Sequence, residues 1–411
     1  MHSFYRYLLQ SFLLITVLLL STSTSWADNL LPPQIEAKAY ILMDEKSGAI
    51  LDQKNIDQAR PPASMTKMMS ALVILDQIKA GKLNWTDIVT VSDRAAKIEE
   101  AQIKVAPNDK LTVRELYTAM LVYSANDATV ALAEYVGGGK EENFVSMMNA
   151  KAKELGMTQT HFRVSTGLDM KDYPQPPQVP GEHVMSARDT AILARELMTR
   201  YPEVLSTTKI GHYTFFKGTN RALTKPNWNL MLKGFPFYFP GVDGMKTGHT
   251  NAAGYCFTGT ALRNQIRYIT VVMGAPIEAK RFTETKKLLK YGFEGFEQKK
   301  LVPQGNGIPK YGHLPLPNGV DRTVPIVSKS AIELPIQKGK EDQYTFRVTY
   351  KKGLQAPLLK GTVVGQVELL FQGKPVEGLK PYDLITYQPV EEGSWIRLFS
   401  RQVVDQVKSW F

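Results

Sequence analysis

The sequence predicts an α+β fold, in which helices accompany an antiparallel sheet, followed by a small β-sandwich domain and a C-terminal amphipathic helix. Three observations support this prediction. Helical and strand-like segments are mixed over residues 31–295, short alternating segments follow over residues 300–390, and residues 394–411 have one apolar face. A chain of 411 residues is long enough for two or three such units.

The first 27 residues have the pattern of an export signal. Arg6 precedes an apolar run from Phe12 to Leu20, and Ser25-Trp26-Ala27 has the small-x-small form of a cleavage site, which predicts a cut before Asp28. The apolar run, at roughly ten residues, is too short for a stable membrane span. We therefore expect the mature chain to work outside the cytoplasmic membrane.

The motif Ser64-Met65-Thr66-Lys67 stands at the start of an apolar run. Pro61-Pro62 precede it, and the run continues to Gly81 with apolar residues on nearly every helical face, namely Met65, Met68, Met69, Leu72, Val73, Ile74, Leu75 and Ile78. This pattern predicts a buried helix that begins near Ser64. Because positions i and i+3 share a helix face, Lys67 is expected within reach of the Ser64 hydroxyl.

A pair of this kind has a specific chemical use. A serine hydroxyl is a weak nucleophile and needs an adjacent base. Lys67 accepts a proton only if apolar surroundings or a neighbouring cation lower its pKa, and Lys246 is a candidate for that cation. A second Ser-x-x-Lys string, Ser206-Thr207-Thr208-Lys209, lacks the apolar helical context and is interpreted as a decoy.

A second motif, Ser124-Ala125-Asn126, falls between two predicted helices. These helices are Val113 to Val122, with a Thr112/Glu115 capping-box pattern, and Asp127 to Val136, closed by Gly137. A short loop between helices can aim both polar side chains into a cleft. Ser124 is expected to relay a proton toward a leaving amine, and Asn126 to hydrogen-bond a substrate amide.

A third motif, Lys246-Thr247-Gly248, opens a strand-like stretch that runs through Gly254 to Thr258. This stretch is predicted to pair antiparallel with Arg267 to Met273 around a turn at Arg263-Asn264-Gln265. A glycine without a side chain lets a substrate peptide lie alongside as an added strand. Lys246 and Thr247 are expected to bind the carboxylate at the end of that peptide.

Each motif alone has an ordinary structural explanation, as a helix N-cap, a solvated lysine, a turn or a strand end. A chain of this length contains roughly one or two Ser-x-x-Lys matches by chance. The three motifs in this order, each in matching local structure, indicate an acylating serine site.

In these motifs the chain resembles the D-alanyl-D-alanine carboxypeptidases, the low-molecular-mass penicillin-binding proteins. The resemblance extends over nearly the whole chain, including Gly167-Leu168-Asp169, the segment from His183 to Arg195, and Met273-Gly274-Ala275. It implies a penicillin-binding/β-lactamase-like serine acylase domain over residues 31–295. The residues it implies are Ser64 as nucleophile, Lys67 as base, Ser124 as proton relay, and Asn126, Lys246, Thr247, Gly248, His249 and Arg281 as substrate-binding groups.

The resemblance also implies a reaction. The enzyme would remove the terminal D-Ala from peptidoglycan stem pentapeptides through an acyl-enzyme on Ser64, with an oxyanion hole built from backbone N–H groups of Ser64 and a residue near His249. β-Lactams mimic the dipeptide and are expected to acylate Ser64 and leave slowly. No cofactor is expected, and the scattered histidines form no metal-ligand pattern. Two departures from the family pattern are Thr166, where many relatives carry Asn or His, and a Pro-rich insertion from Lys171 to Gly181.

Two alternatives remain open from the residues. A class A β-lactamase shares the motifs but needs a glutamate that positions a deacylating water, and the loop from Gly167 to Ser186 contains only Glu182, without an accompanying Asn. A membrane-tethered penicillin sensor would use the same serine for recognition and would acylate without repeated turnover.

The C-terminal part carries no catalytic motif. Alternating segments such as Tyr344 to Tyr350 and Val363 to Leu370 predict the small β-sandwich, interpreted as a spacer or partner-binding module, and the resemblance implies a stand that lifts the active site off the membrane. The helix from Ser394 to Phe411 is predicted to lie in a membrane interface, with packing on a domain or partner as the alternative. Its apolar face consists of Ile396, Phe399, Val403, Val407, Trp410 and Phe411, opposite Arg397, Arg401, Asp405 and Lys408.

The charge and the cysteine content of the chain limit the classes of partner and of cross-link that we expect. The formal net charge of +11 comes without any nucleic-acid motif, so anionic lipid head groups and wall polymers are the expected partners, at the outer face of the cytoplasmic membrane. Cys256 is the only cysteine, which excludes an intramolecular disulfide, and it is predicted to be a buried strand residue.

Overall fold

The structure is a computed structural model that describes residues 30–409. The predicted export signal, residues 1–27, and the last two residues of the predicted terminal helix lie outside the described residues. Within the described part of the chain, no helix combines the length and apolar character needed to cross a membrane.

The helices alternate with the strands of the first domain and one closes the chain. A 3-10 helix, Ala63–Thr66, precedes the α-helices, which are α1 Lys67–Lys79, α2 Asp93–Ala96, α3 Val113–Val122, α4 Asn126–Val136, α5 Glu141–Glu154, α6 Ala187–Arg200, α7 Val204–Thr208, α8 Glu278–Gly295 and α9 Trp395–Lys408. Two further 3-10 turns are Met170–Asp172 and Glu341–Gln343.

The strands fall into two groups. Those before residue 280 are β1 Ala39–Asp44, β2 Ile50–Lys54, β3 Ile88–Thr90, β4 Lys110–Thr112, β5 His212–Phe215, β6 Leu223–Pro226, β7 Val242–Thr250, β8 Gly254–Arg263 and β9 Ile266–Ala275. Those after α8 are β10 Phe296–Val302, β11 His313–Pro315, β12 Thr323–Ser328, β13 Ile332–Gln337, β14 Tyr344–Tyr350, β15 Val363–Phe371, β16 Lys374–Pro375 and β17 Tyr382–Thr386.

The central sheet of the first domain is antiparallel and has the order β2-β1-β9-β8-β7. This order makes β7 an edge strand, so one side of its backbone has no strand partner in residues 30–409. Helices α6 and α8 pack on β9 at the centre of the sheet. The sheet thus presents its third-motif strand at an open edge.

Helix α1 runs through the core of the first domain. Every residue from Lys67 to Leu75 is buried, which is why its apolar residues show no single face. Helix α3 starts at the predicted capping box: the Thr112 hydroxyl accepts from the Glu115 N–H, and the Glu115 carboxylate accepts from the Thr112 N–H. These two signals are local, and the structure confirms both.

Three predicted boundaries change. Ser64 lies in the 3-10 helix, and α1 begins three residues later, at Lys67. Helix α4 begins at Asn126 instead of at Asp127. The stretch that opens with the third motif was predicted as one strand but is two, β7 and β8, because residues 251–253 form a turn between them; the hairpin that joins β8 to β9 lies at the predicted turn.

The C-terminal region is a β domain. A six-stranded sheet with the order β11-β12-β17-β15-β14, in which β16 also pairs with β15, accompanies the two-stranded sheet of β10 and β13. Apolar residues from both sheets form its core, among them Val302, Ile326, Ile332, Leu334, Ile336, Val364, Val367 and Leu384. The predicted fold class, an α+β domain followed by a small all-β domain and a helix, is confirmed.

The terminal helix α9 contacts the β domain through its polar face. Arg401 donates to the backbone carbonyls of Gly319 and Val320 at 2.7 and 2.6 Å, and Arg322 pairs with Asp405 at 2.8 Å. Its apolar side chains stay exposed, namely Trp395, Ile396, Phe399, Val403, Val404 and Val407. The helix is therefore amphipathic as predicted, with its basic residues partly engaged by the protein itself.

Candidate active site

Ser64 is presented by a tight turn ahead of α1. Ala63, the preceding residue, has φ of +48°, a left-handed conformation that costs an alanine about 1 kcal/mol or more. Gly248 of β7 lies against this turn so closely that a Cβ would stand 2.8 Å from the Pro62 carbonyl oxygen. The absence of a side chain at Gly248 is what lets the edge strand approach the serine.

Lys67 lies directly beneath Ser64 and is completely buried. Its Nζ lies 2.9 Å from Ser64 Oγ, 2.7 Å from Asn126 Oδ1 and 2.9 Å from the Thr166 carbonyl oxygen. An amide oxygen and a backbone oxygen can only accept, so they take two N–H groups of the lysine. In a neutral amine the third direction holds the lone pair, and that direction is occupied by the Ser64 hydroxyl.

Burial is the main reason that Lys67 can be neutral. Desolvation places its pKa well below the ordinary value of 10.5, the nearby charge of Lys246 lowers it further, and Asp127 opposes the shift. The charge of Lys246, the expected second cation, is therefore a smaller cause of the lowered pKa than desolvation.

The second motif faces Lys67 and Lys246 at once. Ser124 has φ of +63°, and its Oγ accepts from Lys246 Nζ at 2.8 Å. Asn126 uses its oxygen for Lys67 and donates its Nδ2 to the Glu99 carbonyl at 2.9 Å. The two polar side chains thus lie in the cleft as predicted, and both contact a lysine of another motif.

The third motif supplies a second buried lysine. Burial lowers the pKa of Lys246 to about 7, and the charge of Arg281 contributes. Besides Ser124, Lys246 Nζ donates to the Thr247 carbonyl at 3.0 Å. A lysine with this pKa exchanges a proton near neutral pH, and it touches the serine expected to carry one.

One cleft of about 510 Å³ is lined by parts of all three motifs, whereas the buried Lys67 and Lys246 are not among its described lining residues. Arg281 on α8 is 3% exposed; it donates to Glu278 at 2.7 Å and lies 3.4 Å from the Gly248 carbonyl, while its buried Nε has no partner among the described residues. His249 is exposed and stacks on Tyr255 with ring centroids 4.2 Å apart. Of the predicted site residues, those that line this cleft are Ser64, Ser124, Asn126, Thr247, Gly248, His249 and Arg281.

Sequence reasoning missed several neighbours of the site. The Thr166 carbonyl, which contacts Lys67, carries no residue-type signal. Trp228 lines the cleft, stacks on Tyr123 at 5.7 Å and donates its Nε1 to the Tyr123 carbonyl at 2.9 Å, immediately before Ser124. A lone tryptophan in a Pro- and Asn-rich stretch does not indicate that it lines a cleft. Asp169 and Asp172 of the loop after Gly167 also line the cleft.

Two sequence features that could suggest a different active site lie outside this cleft. The decoy Ser206 is exposed on the short helix α7, and neither it nor Lys209 lines the cleft. Glu182, the only glutamate of the loop that a class A β-lactamase would use, is exposed and is absent from the cleft lining formed by the described residues.

Both parts of the sequence match families of known proteins. The family model of D-alanyl-D-alanine carboxypeptidases matches residues 27–277, and that of the C-terminal domain of penicillin-binding protein 5 matches residues 296–392. D-alanyl-D-alanine carboxypeptidase DacF from Bacillus subtilis is 32% identical over 371 residues, which cover 88% of this chain and 90% of the relative. D-alanyl-D-alanine carboxypeptidase DacA from Haemophilus influenzae is 36% identical over 350 residues, or 84% of each chain.

The fold comparison agrees. Penicillin-binding protein 5 from Haemophilus influenzae has a crystal structure that matches with a TM-score of 0.72 at 35% identity, covering 88% of this chain and 100% of that one. Fold and cleft together define a serine-type hydrolase of the penicillin-binding protein class. With its family model matching more than half of its length and relatives spanning most of it, the chain belongs to the D-alanyl-D-alanine carboxypeptidase family, as predicted, and is an enzyme of that activity.

Proposed function

We propose that this enzyme removes the terminal D-alanine of peptidoglycan stem pentapeptides through an acyl-enzyme on Ser64. The single observation that carries the proposal is the position of Lys67, a buried amine whose Nζ lies 2.9 Å from Ser64 Oγ. The pKa of Lys67 is well below the ordinary value, so it can accept the hydroxyl proton as the oxygen attacks.

Attack on the penultimate carbonyl places negative charge on its oxygen. Backbone N–H groups of Ser64 and of a residue near His249 are the proposed donors to that oxygen, because the close approach of Gly248 brings the two segments side by side. Such donors act mainly in the transition state and therefore raise the rate more than the affinity.

Departure of D-alanine requires a proton on its nitrogen. Ser124 is the proposed relay, since its hydroxyl contacts Lys246 Nζ at 2.8 Å and faces the same cleft as Ser64. The pKa of about 7 for Lys246 allows it to give up a proton and regain one within a cycle at neutral pH. Water then hydrolyses the ester on Ser64.

The substrate is proposed to lie along the open edge of β7. Among the described residues no strand pairs with the outer side of β7, so an extended peptide can add to the sheet there. Thr247 and the unpartnered Nε of buried Arg281 are proposed to bind the terminal carboxylate, a contact that also offsets the cost of burying the guanidinium. Asn126 is proposed to bind an amide of the peptide.

β-Lactams are proposed to enter the same cleft as mimics of the dipeptide and to acylate Ser64. The test measures D-alanine release from a D-Ala-D-Ala-terminated peptide, with fluorescent-penicillin labelling of the wild type and of Ser64→Ala. Ser206→Ala, in the decoy string, is the matched control. Repeated turnover and labelling that vanish only in Ser64→Ala support the proposal; labelling without turnover identifies a sensor, and no labelling refutes the mechanism.

We further propose that the chain is exported by residues 1–27 and held at the outer face of the cytoplasmic membrane by α9, with the β domain as a spacer. The support is the apolar face of α9, where Phe399 is 62% and Ile396 is 61% exposed. Co-sedimentation with phosphatidylglycerol–phosphatidylethanolamine vesicles tests it. The pair Phe399→Ser and Val403→Ser should abolish binding, whereas Leu359→Ser, on a β-domain leucine that is 79% exposed, should not.

A further inference from the structure

The hydroxyl of Thr66, inside the first motif, is held by a histidine from a distant segment. Thr66 is completely buried, and its Oγ1 donates to the Ala63 carbonyl at 2.8 Å. The same oxygen lies 2.8 Å from His183 Nε2, 117 residues further along the chain. Neither contact involves a group assigned so far to the reaction.

The direction of these hydrogen bonds follows from the third contact of the ring. His183 Nδ1 accepts from the Arg163 backbone N–H at 2.9 Å, so Nδ1 carries no proton. A neutral imidazole then has its proton on Nε2, which donates to Thr66 Oγ1, and the threonine proton is left for the Ala63 carbonyl. Burial lowers the pKa of His183 to about 3, so the ring stays neutral, and the Arg163 N–H selects this tautomer.

The Ala63 carbonyl at the end of this chain belongs to the same peptide group as the Ser64 N–H. A peptide group is planar and normally trans, so fixing the direction of the carbonyl also fixes the direction of the N–H. Hydrogen bonds in series also polarise one another, which makes the N–H at the far end a stronger donor. The left-handed φ of +48° at Ala63 means that the turn needs outside support to keep this orientation.

We propose that His183 is a positioning residue that, through Thr66 and the Ala63 carbonyl, orients the Ser64 N–H for the oxyanion hole. The proposal rests on the proposed function, since it assigns a support to a donor named there. Because the donor acts in the transition state, loss of the histidine lowers the acylation rate and kcat by about tenfold or more, with KM nearly unchanged.

The experiment compares His183→Leu with His183→Gln, whose amide N–H can replace the Nε2 donor. The matched control is His161→Leu, because His161 lies on the neighbouring segment and its Nε2 hydrogen-bonds the Pro180 carbonyl at 2.8 Å instead of Thr66. On the full chain, kcat and KM for the peptide, the rate of penicillin acylation and the melting temperature are measured.

The expected result is a fall in kcat and in the acylation rate for His183→Leu, partial recovery in His183→Gln and no change in His161→Leu. Thr66→Val, which removes the hydroxyl at nearly constant volume, closes a double-mutant cycle. Its effect combined with His183→Leu should be no larger than that of either change alone, because both break one chain of hydrogen bonds.

Three results overturn the positioning role while leaving the proposed function intact. These are a wild-type acylation rate in His183→Leu, an effect confined to the melting temperature, and additive effects of Thr66→Val and His183→Leu. A wild type that penicillin does not label refutes the proposed function itself, and the positioning role with it.

Discussion

The α-carbon of Gly167 faces the carbonyl oxygen of Ala63 so closely that no side-chain carbon fits between them. Gly167 follows Thr166, whose carbonyl contacts Lys67, and Ala63 precedes Ser64. One glycine therefore sets the distance between the segment that holds the base and the turn that holds the nucleophile.

Replacing Gly167 by alanine is expected to push the two segments apart and to destabilise the fold. The φ of +80° at Gly167 costs an alanine about 1 kcal/mol, and the clash with Ala63 raises the loss of unfolding free energy to at least about 3 kcal/mol. Gly218→Ala is the control, because Gly218 has φ of +83° but nothing within contact of a Cβ. Chemical denaturation of both variants separates the cost of the clash from the cost of the left-handed backbone. Equal losses of unfolding free energy in the two variants would show that the clash contributes nothing.

Lys67→Arg is expected to reduce penicillin acylation by about a thousandfold. Arginine keeps the positive charge but cannot be deprotonated, so a role in charge alone would survive the change while a role as base would not. The rate is measured with a fluorescent penicillin. Lys209→Arg, at the matching position of the decoy string, should behave as the wild type. Near-normal acylation by Lys67→Arg would show that another group takes the proton.

Lys246→Met is expected to lose activity yet gain relative stability at low pH. The pKa of Lys246 is lowered to about 7 in the folded state from 10.5, so the unfolded chain binds more protons between these values and stability rises with pH through that window. Below about pH 7 the folded protein bears the full cost of a buried ammonium, which methionine removes.

The measurement for Lys246→Met is the melting temperature across pH. Its difference from the wild type should favour the variant most below about pH 7 and decline toward pH 10.5. A difference that stays constant over this range would mean that the folded-state pKa of Lys246 is not lowered.

Arg281→Gln is expected to raise KM for a D-Ala-D-Ala peptide by about ten- to a hundredfold, because the carboxylate loses a charged partner in a buried site. The same peptide with a terminal amide offers no carboxylate, so its already weak turnover should change little. Steady-state kinetics with both peptides makes the comparison. An equal loss for the two would indicate that Arg281 supports the cleft through Glu278 and Gly248 instead.

The parts of the fold that the sequence predicts well are those encoded locally. The capping box at Thr112 and Glu115 depends on residues three apart, and the spacing of Ser64 and Lys67 depends on one helical turn. The contact of Lys67 with the Thr166 carbonyl joins residues 99 apart and uses a backbone atom, so no residue-type pattern reports it.

Two errors have a related cause. The motif strand was extended into β8 because Gly254 and its neighbours look like strand residues, and the turn at 251–253 is defined by pairing across the sheet. The 3-10 start of the first helix depends on the left-handed backbone of Ala63. An alanine in the sequence does not indicate this conformation, because alanine rarely adopts it. In both places tertiary packing overrides local preference.

Cys256, the only cysteine of the chain, is completely buried in β8 beside the Gly274 N–H, and burial raises the pKa of its thiol to about 11. At neutral pH such a thiol is protonated and out of reach of reagents. The surface of the described chain thus offers no thiol that maleimides or methanethiosulfonates can modify. A cysteine introduced at Trp395 or at Leu359 would be the sole labelling point, so spectroscopic rulers can be attached without first removing a native residue.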